Sequence, residues 1–240
     1  DLTGETLTLI VAIFGTTISP YLFFWQSSEE VEDEEADPEA GPLVEHPEQA
    51  PRELARIGWD TWAGMIFSNL IAFFIILTTA VTLHANGQTD IQTTAQAAAA
   101  LKPVAGDLAF ALFSLGIIGT GLLAVPVLAG SAAYAVGEAG GWRIGLERRP
   151  GEARLFYGVI AGAILTGLAI DQAGLDPIKA LLWSAVVNGV ITVPTIAAMM
   201  IVASKPEGMG PFTATRWQRI GGWATTAMMA AAAAGMFATL

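Results

Sequence analysis

Residues 15–20, Gly-Thr-Thr-Ile-Ser-Pro, place several oxygen donors on a backbone that cannot stay helical. Pro20 has no amide hydrogen and its ring clashes with the preceding turn, so the Thr16 carbonyl loses its helical partner. Gly15 eases the local backbone. The Thr16 carbonyl and the hydroxyls of Thr17 and Ser19 are then on offer as oxygen ligands. Such ligands suit hard cations, Mg²⁺, Ca²⁺ and Mn²⁺ among them. Two readings of the break stand side by side. It either binds a cation, or it is a proline kink whose freed carbonyl is satisfied by a neighbouring Ser or Thr. Asn69 and Asn188 are uncharged amides within other apolar runs. Each either completes a coordination shell or makes an interhelical hydrogen bond that holds a bundle together.

Other chemistries are excluded early. There is no cysteine, which removes disulfides, zinc ribbons and thiolate catalysis. His46 and His84 fall in a loop and at the end of an apolar run, as solvated residues would. No His/Glu pair stands at helical spacing, no Ser/His/Asp arrangement is evident, and no phosphate-cradling loop occurs. The expectation is therefore a protein that is not an enzyme, with no cofactor and no nucleic-acid partner. Ionisable groups are nearly absent from the centres of the apolar runs, which argues against a proton relay.

The elements that carry these residues are membrane spans. The chain is 53% hydrophobic and 14% charged, against about 25% charged in ordinary soluble domains. Six apolar runs reach the roughly 20 residues that a bilayer requires: 7–26, 62–83, 108–136, 155–170 (extendable to 175), 178–203 and 220–240. They are apolar all round, unlike soluble helices with a polar face. The first is broken at its centre, at 15–20. Backbone freed there is tolerated only where it lines a cavity or binds something. Run 7–26 has no basic flank or small-residue cleavage site and is not a signal peptide. Pro126 and Pro194 read as simple kinks.

Arg52, Arg56, Arg143, Arg148, Arg149, Arg154, Lys205, Arg216 and Arg219 all fall on one side of this arrangement, against Lys102 and Lys179 on the other. The positive-inside rule makes the first side cytoplasmic. Trp25, Trp59, Trp62, Trp142, Trp217 and Trp223 stand near the expected span ends, where indoles favour the headgroup zone. Residues 27–58 form an acidic cytoplasmic loop whose first part continues the first span. Its carboxylates either concentrate cations at an inner mouth or are merely solvated. Residues 89–101 read as a short outer surface helix. The whole of 1–240 is expected to be one transmembrane domain in a plasma membrane, the bacterial inner membrane. It begins at Asp1 on the threshold of a span, which suggests one half of something larger.

The segment GTTISPYLFFWQSSEEVE resembles the sixth helix of the Nramp family of divalent metal transporters, whose pattern runs approximately G-A-T-V-M-P-H-N-L-Y-L-H-S. Gly15, Thr17, Pro20 and Ser27 fall on it. The likeness continues in order through IGWDTWAGMIFSNLIAFFIILTTAVTLH and SAVVNGVITVPTIAAMMIVASKPEGMG. It implies an all-α membrane protein of LeuT type, in which two inverted five-helix repeats place broken helices at the midplane. This chain would hold the second repeat plus one extra helix. The first repeat, with its acidic metal-binding motif, would be supplied by the same polypeptide or by a partner chain. Asp37-Pro38 and Asp176-Pro177 do not replace that motif.

The departures from the pattern are as informative. The family's metal-binding methionine falls on Ser19, and its two histidines fall on Tyr21 and Gln26. A thioether favours softer transition metals, a hydroxyl harder ions. Losing imidazoles removes groups that titrate near neutral pH. The resemblance thus implies secondary transport of a divalent cation, Mg²⁺ or Mn²⁺, with weak or no proton coupling. Ser19 and the Thr16 carbonyl are the expected ligands, and Tyr21, Thr17, Asn69 and Asn188 the pathway residues. The alternatives are an inactive or scaffolding half-protein, or a carrier of an organic solute.

Overall fold

The computed structural model describes residues 3–84, 87, 91 and 93–239. In chain order its helices are α1 (Gly4–Thr17), α2 (Pro20–Ala36), α3 (Ala50–Thr82), α4 (Thr94–Ala98), α5 (Lys102–Ala105), α6 (Ala109–Gly140), α7 (Arg154–Gln172), α8 (Pro177–Ala203), α9 (Pro206–Met209) and α10 (Arg216–Thr239). Single 3-10 turns occupy Ala99–Leu101, Gly106–Leu108 and Gly210–Phe212. No strand occurs among the described residues. Among the described residues, six helical stretches are long and apolar enough to cross a membrane: Gly4–Ala36, Ala50–Thr82, Gly106–Gly140, Arg154–Gln172, Pro177–Ala203 and Arg216–Thr239. They coincide with the six expected runs and make this an all-helical, multi-pass membrane protein.

The helices outrun the apolar stretches. Residues 27–36 continue α2, and residues 50–58 are the first turns of α3, so the acidic segment expected over 27–58 is non-helical only at 37–49. Alanine, glutamate and arginine sustain a helix in water as well as in lipid, and Arg56 pairs with Glu53 at 2.9 Å one turn away. Trp59 and Trp62 therefore lie inside α3 rather than at its start, still marking where its apolar run begins. Of the surface helix expected at 89–101, α4 and the 3-10 turn after it are present. Thr93 and Gln96 form a reciprocal capping box at its start. Residues 89, 90 and 92 lie outside the described residues. Pro126 and Pro194 sit within continuous helices.

The helices cluster into two compact units, residues 1–50 with 181–240, and residues 51–180. In the first unit α1 packs antiparallel to α10. A Cβ on Gly4 would stand 2.9 Å from the Thr239 carbonyl oxygen, and one on Gly235 would touch Leu7. Val11, Ala12, Val186 and Met236 form the buried centre, flanked by Leu7, Leu182, Ala185, Val190 and Ala232.

The second unit is held by α6 against α7. The fully buried rings of Tyr134 and Phe156 meet edge to face at 4.9 Å. The turn between these helices is pinned by two phenols. Tyr134 Oη accepts from the Leu146 amide at 3.3 Å, and Tyr157 Oη donates to the Leu146 and Arg148 carbonyls. Gly141, at φ +63°, ends α6 in the left-handed conformation that glycine adopts most easily. Large apolar side chains stay exposed along α3, including Ile66, Phe67, Phe73 and Phe74. A helix apolar all round is what a membrane span requires.

Candidate metal site at the helix break

α1 closes with the Ile18 amide donating to the Phe14 carbonyl at 2.7 Å. Ile18 (φ −113°, ψ 88°) has then left the helical region, Ser19 (φ −95°, ψ 110°) is extended, and α2 starts at Pro20. Two local preferences of proline favour this geometry. The proline ring pushes the residue before it out of the helical region, and proline suits the first helical position, where its missing N–H costs nothing. The carbonyl end of α1 and the amide end of α2 therefore meet at residues 18–19, in the manner of the half-helices that line transport sites.

The carbonyls of residues 15–18 have no helical donor, and hydroxyls replace it at three of the four. Ser19 Oγ lies 3.1 Å from the Thr16 carbonyl oxygen and 3.4 Å from that of Gly15. Its single hydrogen is shared between the two. Thr192 Oγ1, on α8, lies 2.9 Å from the Ile18 carbonyl oxygen and 2.7 Å from that of Asn188. Ser19 is 4% exposed and Thr192 fully buried. Ser19 stands at the cap position of α2 yet makes no side-chain cap bond to it, because its hydroxyl turns back to α1.

The expected site residues divide accordingly. Thr16 and Ser19 come together at the break. The hydroxyls of Thr16 and Thr17 fold onto their own helix, to the Ala12 and Ile13 carbonyls at 2.9 and 2.8 Å, with both residues exposed. Thr16 thus offers its carbonyl, and Thr17's hydroxyl is engaged away from Ser19. Tyr21 is half-buried in the first turn of α2, and Asn188 is half-buried on α8. Asn69 belongs to the other unit, where its exposed amide donates to the Met65 carbonyl of its own helix at 2.8 Å.

Asp37 and Asp176 each serve a local turn, accepting from the amides of Glu39 and of Ile178 at 2.9 Å. Among the described residues no group of three His, Asp or Glu could hold a metal. His46 pairs with Glu48 at 3.2 Å in the loop at 37–49. The backbone amide of Glu48, followed by that ring, holds the Glu48 carboxyl below the usual range.

The sequence reading missed α8's part. A Cβ on Gly15 would run into the Ala185 carbonyl and the Gly189 amide, and one on Gly189 into the Val11 carbonyl. The two backbones touch because both positions lack a side chain, as at small-residue crossings of membrane helices. Ala185, Gly189 and Thr192 share one face of α8, at helical spacing. A search for small and hydroxyl residues repeating every three or four positions would have found that face. Asn188, the polar residue singled out instead, stands beside it.

The Nramp family, described as natural resistance-associated macrophage protein-like, matches residues 1–239. The chain is 25% identical over 231 residues to the "Divalent metal cation transporter MntH" of Klebsiella pneumoniae strain 342, covering 94% of this chain and 49% of that protein. It is 26% identical over the same length to the protein of that name from Klebsiella pneumoniae subsp. pneumoniae, again covering 94% and 49%. The chain thus spans about half the length of these curated relatives. Matched over nearly all its residues, and carrying the broken first span with its Gly15 and Pro20, this chain belongs to the Nramp family.

Proposed function

We propose that this chain carries one half of a divalent-cation site, and that the complete protein moves its ion across the plasma membrane, the bacterial inner membrane, by alternating access. One spacing carries the reading. The Thr16 carbonyl and Ser19 hydroxyl oxygens are 3.1 Å apart. Adjacent oxygens around an octahedral Mg²⁺, each at about 2.1 Å, stand about 3.0 Å from one another. Both oxygens can face one ion once the hydroxyl proton turns away from the carbonyl. The name borne by the Klebsiella relatives, divalent metal cation transporter, supports the cargo class. The protein is then a carrier rather than an enzyme, and the metal is its cargo rather than a resident cofactor.

Ser19, Tyr21 and Gln26 supply neither thioether nor imidazole, which favours Mg²⁺ and Mn²⁺ over softer metals and leaves weak or no proton coupling. Tyr21, Asn188, Asn69 and Thr17 are the pathway residues. The carboxylates that complete the charge balance come from the other repeat, in the same polypeptide or a partner chain. A second reading draws on the bonds from Ser19 itself, which already satisfy the break and would suit a non-transporting half.

Uptake into proteoliposomes by the full-length protein separates the two. Mg²⁺ should compete with Mn²⁺ for uptake, with little accompanying acidification of the lumen. Strong exclusion of Mg²⁺ in favour of Fe²⁺ or Cd²⁺ would sink the selectivity, and no uptake of any divalent ion would favour the satisfied break.

A further inference from the structure

We infer that Thr192 is the positioning residue of the broken helix: its hydroxyl clamps the Ile18 carbonyl, and that clamp holds Ser19 Oγ and the Thr16 carbonyl in register for the cation. This rests on the cation reading above and adds to it a residue that lies outside the break.

Of the four carbonyls that the break deprives of helical donors, only that of Ile18 receives its hydroxyl from another helix; those of Gly15 and Thr16 take theirs from Ser19, within the broken segment. The bond joins residues 174 positions apart in sequence. It ties the non-helical link at 18–19 to α8, while Pro20 lacks the amide that would have bonded the carbonyl of Thr16 in a continuous helix. Rotation of the Ile18–Ser19 peptide would swing Ser19 away from Thr16, and the Thr192 bond opposes that rotation at its carbonyl oxygen. The approach is possible because Gly15 and Gly189 bring the two backbones into contact. At an ordinary helix separation of 8–10 Å, a side chain as short as threonine would not reach.

The second partner of Thr192 makes the clamp releasable. Its one hydroxyl hydrogen is shared between the Ile18 carbonyl and the Asn188 carbonyl of its own helix, at 2.9 and 2.7 Å. If the broken helix moves, Thr192 keeps a full bond to Asn188, so no buried donor is stranded. A carbonyl tolerates the loss better than a donor would, since water or the ion path can take its place. The break is thus held firmly enough to orient two ligands and loosely enough to rearrange during a transport cycle.

The experiment compares Thr192→Val, which keeps the shape and loses the hydroxyl, with Thr192→Ser, which keeps the hydroxyl. Both are made in the full-length protein. Amide hydrogen exchange of the peptide covering residues 14–25 is read without metal, and Mn²⁺ uptake in proteoliposomes is read for half-saturation and maximal rate. Thr192→Val should speed exchange in that peptide and raise the half-saturating Mn²⁺ concentration roughly three- to tenfold, the loss of about one hydrogen bond. The maximal rate should change less, and Thr192→Ser should restore both readouts. Unchanged exchange in the folded valine variant would overturn the clamp, as would a serine variant that behaves like valine. Faster exchange with unaltered half-saturation would overturn the positioning role. A wild-type protein that takes up no Mn²⁺ would defeat the cation reading instead, and the exchange measurement would still decide the clamp.

Discussion

Two prolines in the same unit, Pro20 and Pro194, meet different fates. Both follow β-branched runs, Thr16-Thr17-Ile18 before Ser19-Pro20 and Ile191-Thr192-Val193 before Pro194. Both remove an amide and crowd the preceding turn. Yet α8 runs on through Pro194, while the first span stops at Thr17 and restarts at Pro20. Local propensity does not distinguish them. The difference lies in the replacement donors. Around Pro20 a buried serine and a buried threonine supply hydrogens to carbonyls that a break sets free. At Pro194 the nearest hydroxyls, those of Thr192 and Thr195, bond to carbonyls of α8 itself, at Asn188 and Ile191. A proline permits a break in a membrane helix, and hydroxyls placed to receive the loose carbonyls make it affordable.

The largest effect should come from forcing the two helices apart. Gly15→Leu inserts a side chain where the α8 backbone already touches. It should cost about 3 kcal/mol or more and remove the Thr192 bond with it, read as a lower melting temperature and faster exchange across residues 14–25. A leucine tolerated without change would mean that the contact between Gly15 and Gly189 does not hold the break. Next in size is the contrast between the prolines. Pro20→Ala removes a penalty of about 3 kcal/mol against a continuous helix, and uptake should fall steeply as the first span straightens. Pro194→Ala should leave uptake within about twofold, since α8 is already continuous and surface-type changes usually stay near 0.5 kcal/mol. Equal losses from the two alanines would break the comparison.

Much of this was legible in the residues. Six spans follow from apolar length alone, and the broken one from Pro20 and the polar residues beside it. The sequence places Ser19 close to Thr16, because they are three positions apart. Thr192 was not legible in that way. Its partner Ile18 is 174 positions distant, and only the tertiary approach of Gly15 to Gly189 joins them. Hydropathy also cannot mark where a helix ends in water: the continuation of α2 past the first span was expected, but α3 starts at Ala50, within the segment read as loop. Asn69, attractive as a polar residue in an apolar run, bonds to its own helix.

The central claim is that the side chain at position 19 chooses the ion. Ser19→Met restores the residue type found in the family pattern at that position, and the measurement is competition of Cd²⁺ and Mg²⁺ against Mn²⁺ uptake by the full-length protein in proteoliposomes. The thioether should strengthen Cd²⁺ competition and weaken that of Mg²⁺, each by about tenfold, a change of about 1.4 kcal/mol. Identical competition curves for the wild type and the methionine variant would contradict the assignment of Ser19 to the cation.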